Sequence, residues 1–404
     1  MSSVDPQRRV VSGMRPTGRL HLGHYHGVLK NWVRLQHEYE CFFFVADWHA
    51  LTTDYGNSEH IAKATWDMVV DWLATGVNPG SANLFIQSRV PEQAELHMLL
   101  SMITPLSWLE RVPAYKDHQA ELKEKDLATY GFLGYPLLQA ADILAYRGGL
   151  VPVGADQVAH IEIARDVARR FNHLYGSETD FEANAEMAIR KLGKKAGRLY
   201  SELRQAYTSH GDANALLTAQ ALIKEQSNIT LGDKERLMGY IVGMGKSILP
   251  EPQIILSDAA KMPGLDGAKM SKSNENTISL RASPDKIEKK IRNMPTDPAR
   301  IRLTDPGEPT RCPVWQFHEV YSDEKIRATV QKNCTNAAWG CLECKQLVID
   351  AIVAEQAPIR ERGKQYEENT DLVHSIIAEG TERARDAARA TLEEVRDAMG
   401  LAYR

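Results

Sequence analysis

The chain has 404 residues, 43% hydrophobic and 25% charged, which is too long for one compact core and predicts two or three globular domains. That composition excludes a disordered tail, a collagen-like chain and a coiled-coil rod, and no apolar run approaches the ~18 residues of a membrane span. With 49 basic and 53 acidic residues the net charge is −4, so a polyanionic partner has to meet a local basic patch rather than the average field.

The opening MSSVDPQRRV has no hydrophobic segment behind its basic residues, does not read as a secretion signal, and predicts a cytoplasmic location. Buried strands, rich in β-branched and aromatic residues, are predicted over Val10–Met14, Glu40–Trp48 and Ala82–Ser88. Helical patterns lie between them. In SEHIAKATWDMVVDWLATG, for example, Ile61, Thr65, Met68, Val69 and Trp72 share one face and Gly76 supplies a stop. Strand–helix alternation predicts an α/β fold with a parallel sheet and crossover helices. From Phe181 to Pro250 the strand patterns vanish, which predicts a helical insertion, and after Ser283-Pro284 the chain reads as helical to its end. The resulting division is 1–180 and 251–283 for the sheet domain, 181–250 for the insertion and 284–404 for an all-α domain.

Two motifs carry the chemistry. The first strand runs into RPTGRLHLGHYHGVLKNW, in which Pro16 and Gly18 form a turn and a helix starts close to His21. A helix N-terminus after a buried strand is an anion site, His21 and His24 fall on one face of its first turn, and Gly23 lets a nucleotide approach the backbone. Ordinary polar residues at a helix start are the bland alternative. The second motif is KMSKS, Lys269 to Ser273, preceded by Gly264 and Gly267. Two lysines and two hydroxyls on such a loop suit a triphosphate whose charge moves to pyrophosphate; a solvated basic turn is the plainer reading. The pentapeptide arises by chance roughly once in ten thousand chains of this length.

HLGH near the start and KMSKS much later resemble the signatures of the class I aminoacyl-tRNA synthetases. The match extends over most of the chain: YPLLQAADIL, VPVGADQVAHIEIARDVARRFN, VADWHALTT and PGLDGAKMSKS are similar to the bacterial-type tryptophanyl group within that family. The resemblance implies a Rossmann-like catalytic domain, the helical insertion of the longer members and a C-terminal anticodon-binding domain. It also implies ATP and Mg2+, L-tryptophan and tRNA(Trp) as ligands, a homodimer, and neither DNA nor membrane as partner. Asp142 takes the position that accepts the indole N–H, a pairing that penalises amino acids lacking this donor. By the same resemblance, Tyr135 and Gln157 match positions that hold the amino-acid head group, with His49 nearby. Asp156 faces the pocket, and Gln139 and Val153 line it. The resemblance further implies that His21 and His24 steady the phosphates and that Lys269 and Lys272 follow the pyrophosphate, with Arg15, Pro16, Thr17, Gly23, Met270 and Ser271 beside ATP.

Cys312, Cys334, Cys341 and Cys344 follow the spacing C-x21-C-x6-C-x2-C, and Cys341 and Cys344 share a face at the head of a helix whose N-terminus favours thiolates. Four thiolates suit zinc or an iron–sulfur cluster. Only one C-x2-C pair is present where a zinc ribbon has two, and the pattern resembles the synthetases that carry a [4Fe–4S] cluster; zinc and four idle thiols remain open. Cys41, in CFFF, reads as core. GMGKS at 243–247 fails as a phosphate-binding loop, because Tyr240 stands where the first glycine belongs. A tyrosyl-specific enzyme and an unreactive RNA- or tryptophan-binding paralogue are the remaining rivals.

Overall fold

The computed structural model describes residues 8–56, 58–112, 129–154, 158–176, 180–243, 245–256, 262–271 and 275–403. Five parallel strands form one sheet in the order β3-β2-β1-β4-β5: β1 Arg9–Met14, β2 Glu40–Val45, β3 Ala82–Ile86, β4 Leu150–Val153 and β5 Gln253–Leu256. The first three lie where the apolar runs predict them. The second ends three residues before Trp48, because Asp47 opens the next helix and its Oδ1 accepts from the Trp48 and Ser88 N–H groups. Strands β4 and β5 are four residues long, too short for a periodic signal, and β4 contains Pro152.

The crossover and flanking helices up to β4 are α1 Leu22–His24, α2 Lys30–Leu35, α3 Asp47–Asp54, α4 Glu59–Thr75, α5 Pro91–Ser101, α6 Leu106–Glu110 and α7 Tyr130–Leu144. A π-helical turn, Tyr25–Leu29, joins α1 to α2. Helix α4 stops at Gly76, whose φ of 104° is left-handed. After β4 come α8 Val158–Tyr175 and then α9 Phe181–Lys191, α10 Lys194–His210, α11 Ala213–Glu225 and α12 Leu231–Ile241. The last four bury Ala188, Tyr200, Ala219, Ile223, Leu237 and Ile241 in a small core of their own. The helix α12, not a strand, precedes Gly243, which removes the phosphate-loop reading on structural grounds as well.

The C-terminal part is α13 Pro284–Arg292, α14 Pro313–Tyr321, α15 Glu324–Thr335, α16 Cys341–Glu368 and α17 Thr370–Ala398. These helices pack directly on the sheet domain. Val348, Ile349, Ile352 and Ile377 join Trp32, Phe43 and Trp72 on one side of the sheet, while Ala384, Ala388 and Leu392 join Phe42, Phe85 and Tyr146 on the other. No described helix is long and apolar enough to cross a membrane.

Candidate active site

Strands β1 and β4 pair at Val10 and Leu150. This pairing lies where the strand order reverses, and open α/β sheets bind ligands in the crevice outside the strand ends at such a switch point. A cavity of about 370 Å³ opens there, lined by Ser12 and Gly13 from β1, His49 from α3, Tyr135, Gln139 and Asp142 from α7, and Val153 from β4. Gly13 is required beside it, since a Cβ would stand 2.5 Å from the Phe44 ring.

Asp142 lies on the inner face of α7 and is fully buried. Its Oδ2 meets His49 Nε2 at 2.8 Å, and its Oδ1 accepts from Gln93 Nε2 at 2.9 Å. Gln87 Nε2 donates to both oxygens, at 2.8 and 2.9 Å. Burial pushes the Asp142 carboxyl above its ordinary range, and the bonds to His49 and Gln87 pull it back. Gln87 and Gln93 have no exposed surface and are site residues that the sequence motifs do not contain. Their one signal is position: Gln87 follows the last residue of an apolar parallel strand, where α/β sites are built. Toward the mouth, the Tyr135 hydroxyl meets His160 Nε2 at 3.1 Å. Burial pushes the Tyr135 phenol up to about 12 against the pull of Arg15, and the Arg15 guanidinium donates to the Thr53 hydroxyl.

The HLGH turn is built by the histidines themselves. His21 is the N-cap of α1 and its Nδ1 accepts from the Gly23 N–H at 3.1 Å, while His24 Nδ1 accepts from the His21 N–H at 3.2 Å. Their rings lie 3.8 Å apart, on one face as the spacing predicts. Gly23 has a second reason beyond nucleotide approach, because a Cβ there would meet the His21 ring at 2.9 Å. The same Cβ would lie 3.5 Å from Met270, so the lysine loop rests against this turn. Lys269 is exposed and Met270 buried. Asn276, also buried, holds the loop: it accepts from the Ser271 N–H at 2.8 Å and donates to the Lys269 carbonyl at 3.1 Å and to Asp266 at 2.8 Å. Pro16 and Thr17 form the turn after β1, with Thr17 N–H bonded to the Arg15 carbonyl at 2.9 Å. Asp156, Gln157 and Lys272 lie outside the described residues.

Cys312, Cys334 and Cys341 lie close enough to Cys344 to bear on its thiol electrostatically. Burial first, and then those neighbours, push Cys344 up to about 12, and Cys334 is raised as well. His318 Nε2 stands 3.3 Å from Cys344 Sγ and Arg300 Nη1 is 3.9 Å from Cys334 Sγ. Among the described residues no three His, Cys, Asp or Glu side chains stand in metal-holding geometry. Cys41 is core, with no exposed surface.

The sequence matches the family model of class I tRNA synthetases (W and Y) over residues 5–197 and 226–355, well over half of the chain. The chain belongs to that family. This synthetase is 62% identical over 395 residues to a tryptophan–tRNA ligase of Ralstonia nicotianae, covering 98% of this chain and 99% of the relative. It is 42% identical to a tryptophan–tRNA ligase of Thermotoga maritima, covering 98% and 100%. The crystal structure of a tryptophanyl-tRNA synthetase from Campylobacter jejuni, complexed with ADP and tryptophan, superposes with a TM-score of 0.73 at 27% identity and covers 97% of this chain and all of that one.

Proposed function

We propose that this synthetase activates L-tryptophan with ATP and transfers it to the 3′ end of tRNA(Trp). The observation that carries the reading is the fully buried Asp142 with its donors from His49, Gln87 and Gln93 at the floor of the switch-point cavity. A carboxylate offers about four acceptor positions, and these four contacts use them. An indole N–H bonding to Asp142 takes one over, and Gln87 is placed to yield it, since its amide spans both oxygens and retains the other. An amino acid without that donor leaves the carboxylate undersatisfied, which is the arrangement that discriminates most strongly.

The reaction needs no protein nucleophile. The tryptophan carboxylate attacks the α-phosphorus, the bond to the bridging oxygen breaks and pyrophosphate leaves; a terminal ribose hydroxyl of the tRNA then attacks the adenylate carbonyl and AMP leaves. Positioning and charge stabilisation supply the rate. Tyr135 and Gln157 hold the amino-acid head group with Asp156 beside them facing the pocket, while Gln139 and Val153 line the ring pocket. His21 and His24 steady the phosphates, Arg15, Pro16, Thr17, Gly23, Met270 and Ser271 border ATP, and Lys269 and Lys272 follow the leaving pyrophosphate. Mg2+ enters with the ATP substrate. Residues 181–250 form an insertion in the catalytic domain, and in support the family match skips 198–225. The helices of 284–404 bind the anticodon, and the enzyme works as a cytoplasmic homodimer. ATP–pyrophosphate exchange with each of the twenty amino acids tests the reading. Tryptophan alone sustains exchange; exchange with tyrosine overturns the specificity, and no exchange leaves a binder that does not react.

Cys312, Cys334, Cys341 and Cys344 would hold a [4Fe–4S] cluster, with zinc as the alternative occupant. The donor set fits in kind, being four free thiols with Cys334 beside Arg300, though among the described residues they do not stand in metal-holding geometry. With no redox partner in the sequence, such a group would brace the helices that meet the tRNA. Anaerobically purified protein is expected to be brown and to lose its colour in Cys341→Ser; about one zinc and no iron per chain refutes the cluster.

A further inference from the structure

Beneath both signature motifs lies a buried ion pair that none of these steps uses. Asp71, on α4, is 1% exposed; its Oδ1 accepts from Arg281 Nε at 2.6 Å and its Oδ2 from the Leu20 N–H at 3.1 Å. Leu20 immediately precedes His21, and its carbonyl accepts from the Leu280 N–H at 2.9 Å. The Leu22 N–H bonds to the Ile278 carbonyl at 3.0 Å, and His21 faces Ser279 in an antiparallel bridge. The chain leaving the lysine loop is thus laid against the histidine turn, and Asp71 fastens both.

Arg281 also reaches the C-terminal helices. Its own N–H donates to the buried Gln356 side chain of α16 at 2.9 Å, and its guanidinium pairs with Glu367 of the same helix. Gly363 of α16 leaves the space for it, since a Cβ there would meet Arg281 Cδ at 2.6 Å. Arg281 adopts a φ of 61°, a left-handed conformation uncommon outside glycine, so the surrounding contacts hold it there.

We propose that Asp71 and Arg281 are positioning residues for adenylate formation, which set the register between the histidine turn and the root of the lysine loop and tie it to α16. The proposal rests on the assignment of both motifs to the ATP site. Apolar side chains of similar volume would fill the space at least as stably, because burial pushes the Asp71 carboxyl up to about 6 in spite of Arg281. What they would not supply is direction: a carboxylate with one oxygen on each motif and a guanidinium with one arm on α16.

The test compares full-length wild type with Asp71→Asn, which keeps an oxygen for Leu20, and with Arg281→Lys, which keeps the charge and loses the fork. Tryptophan-dependent ATP–pyrophosphate exchange is normalised to active sites titrated by adenylate formation. In both variants kcat per site is expected to fall about tenfold to a hundredfold, the scale of a misplacement near 1 Å, with a raised KM for ATP. Tryptophan binding without ATP, measured by equilibrium dialysis, should stay within about twofold of wild type, because Asp142 sits on α7 with no bond to the pair. A merely structural role would lower the number of titratable sites and leave kcat and KM per site unchanged. Should both variants fail to fold, Glu367→Gln removes the half-exposed partner, with about a twofold to fivefold change in the same parameters expected for a surface-side ion pair. Unchanged kcat and ATP KM in every folded variant overturn the proposal alone. A wild type without exchange overturns the assignment of the motifs and the proposal with it.

Discussion

Gln87→Met removes one amide from the floor of the cavity and keeps the side chain's length. The amide donates to both Asp142 oxygens, and its carbonyl accepts from the Trp48 N–H at 3.1 Å. That N–H retains Asp47 Oδ1 as a partner. The loss therefore falls on the carboxylate, where a hydrogen bond to a charged group is worth about 1.5–3 kcal/mol. The carboxyl of Asp142, already raised by burial and held back in part by Gln87, should therefore rise further. The sign follows directly: a protonated Asp142 is a poorer acceptor for an indole N–H, so tryptophan activation fails on the acid side and the variant fails at higher pH than wild type. The assay is the pH profile of kcat/KM for tryptophan in ATP–pyrophosphate exchange, with KM for ATP as an internal control. An acid limb displaced upward, with little change in the ATP parameters, is the expected result. An unmoved acid limb and unaltered rejection of tyrosine would refute the role assigned to Gln87.

Two further predictions address the packing of the C-terminal helices. Glu355 of α16 accepts from Lys30 at 2.8 Å, from the Tyr321 hydroxyl at 2.9 Å and meets His26 Nε2 at 3.1 Å; burial raises its carboxyl but these partners win and hold it at about 2. A depressed carboxylate pKa stabilises the fold above the unfolded value near 4.5, and the contribution disappears as pH falls through about 2. Glu355→Gln should thus destabilise by about 2–3 kcal/mol at pH 7, and the gap in urea midpoints should close between pH 4.5 and 2; a gap constant across that range would contradict the pairing. Gly380→Ala places a Cβ 2.0 Å from the Leu84 carbonyl oxygen, backbone against backbone, so α17 must lift from β3. A loss of about 3 kcal/mol is expected from the urea midpoint, and a variant as stable as wild type would mean that α17 does not seat on the strand this closely.

The sequence by itself determines what is local. The apolar runs of β1, β2 and β3 announce buried parallel strands, Gly76 announces the end of α4, and HLGH and KMSKS are recognisable because their chemistry is contained in a few adjacent residues. Asp142 is legible for the same reason, a carboxylate set in an apolar helix. Tertiary structure alone decides who holds these groups. Gln87 and Gln93 reach Asp142 across 55 and 49 residues, and Asp71 reaches Arg281 across 210. A buried polar side chain must find a partner, but the partner is fixed by which elements the sheet order makes neighbours, and no sequence spacing encodes that. Burial acts in the same way on Cys344: its place at a helix start is legible, and the burial that raises its thiol arises only once the surrounding helices pack around it.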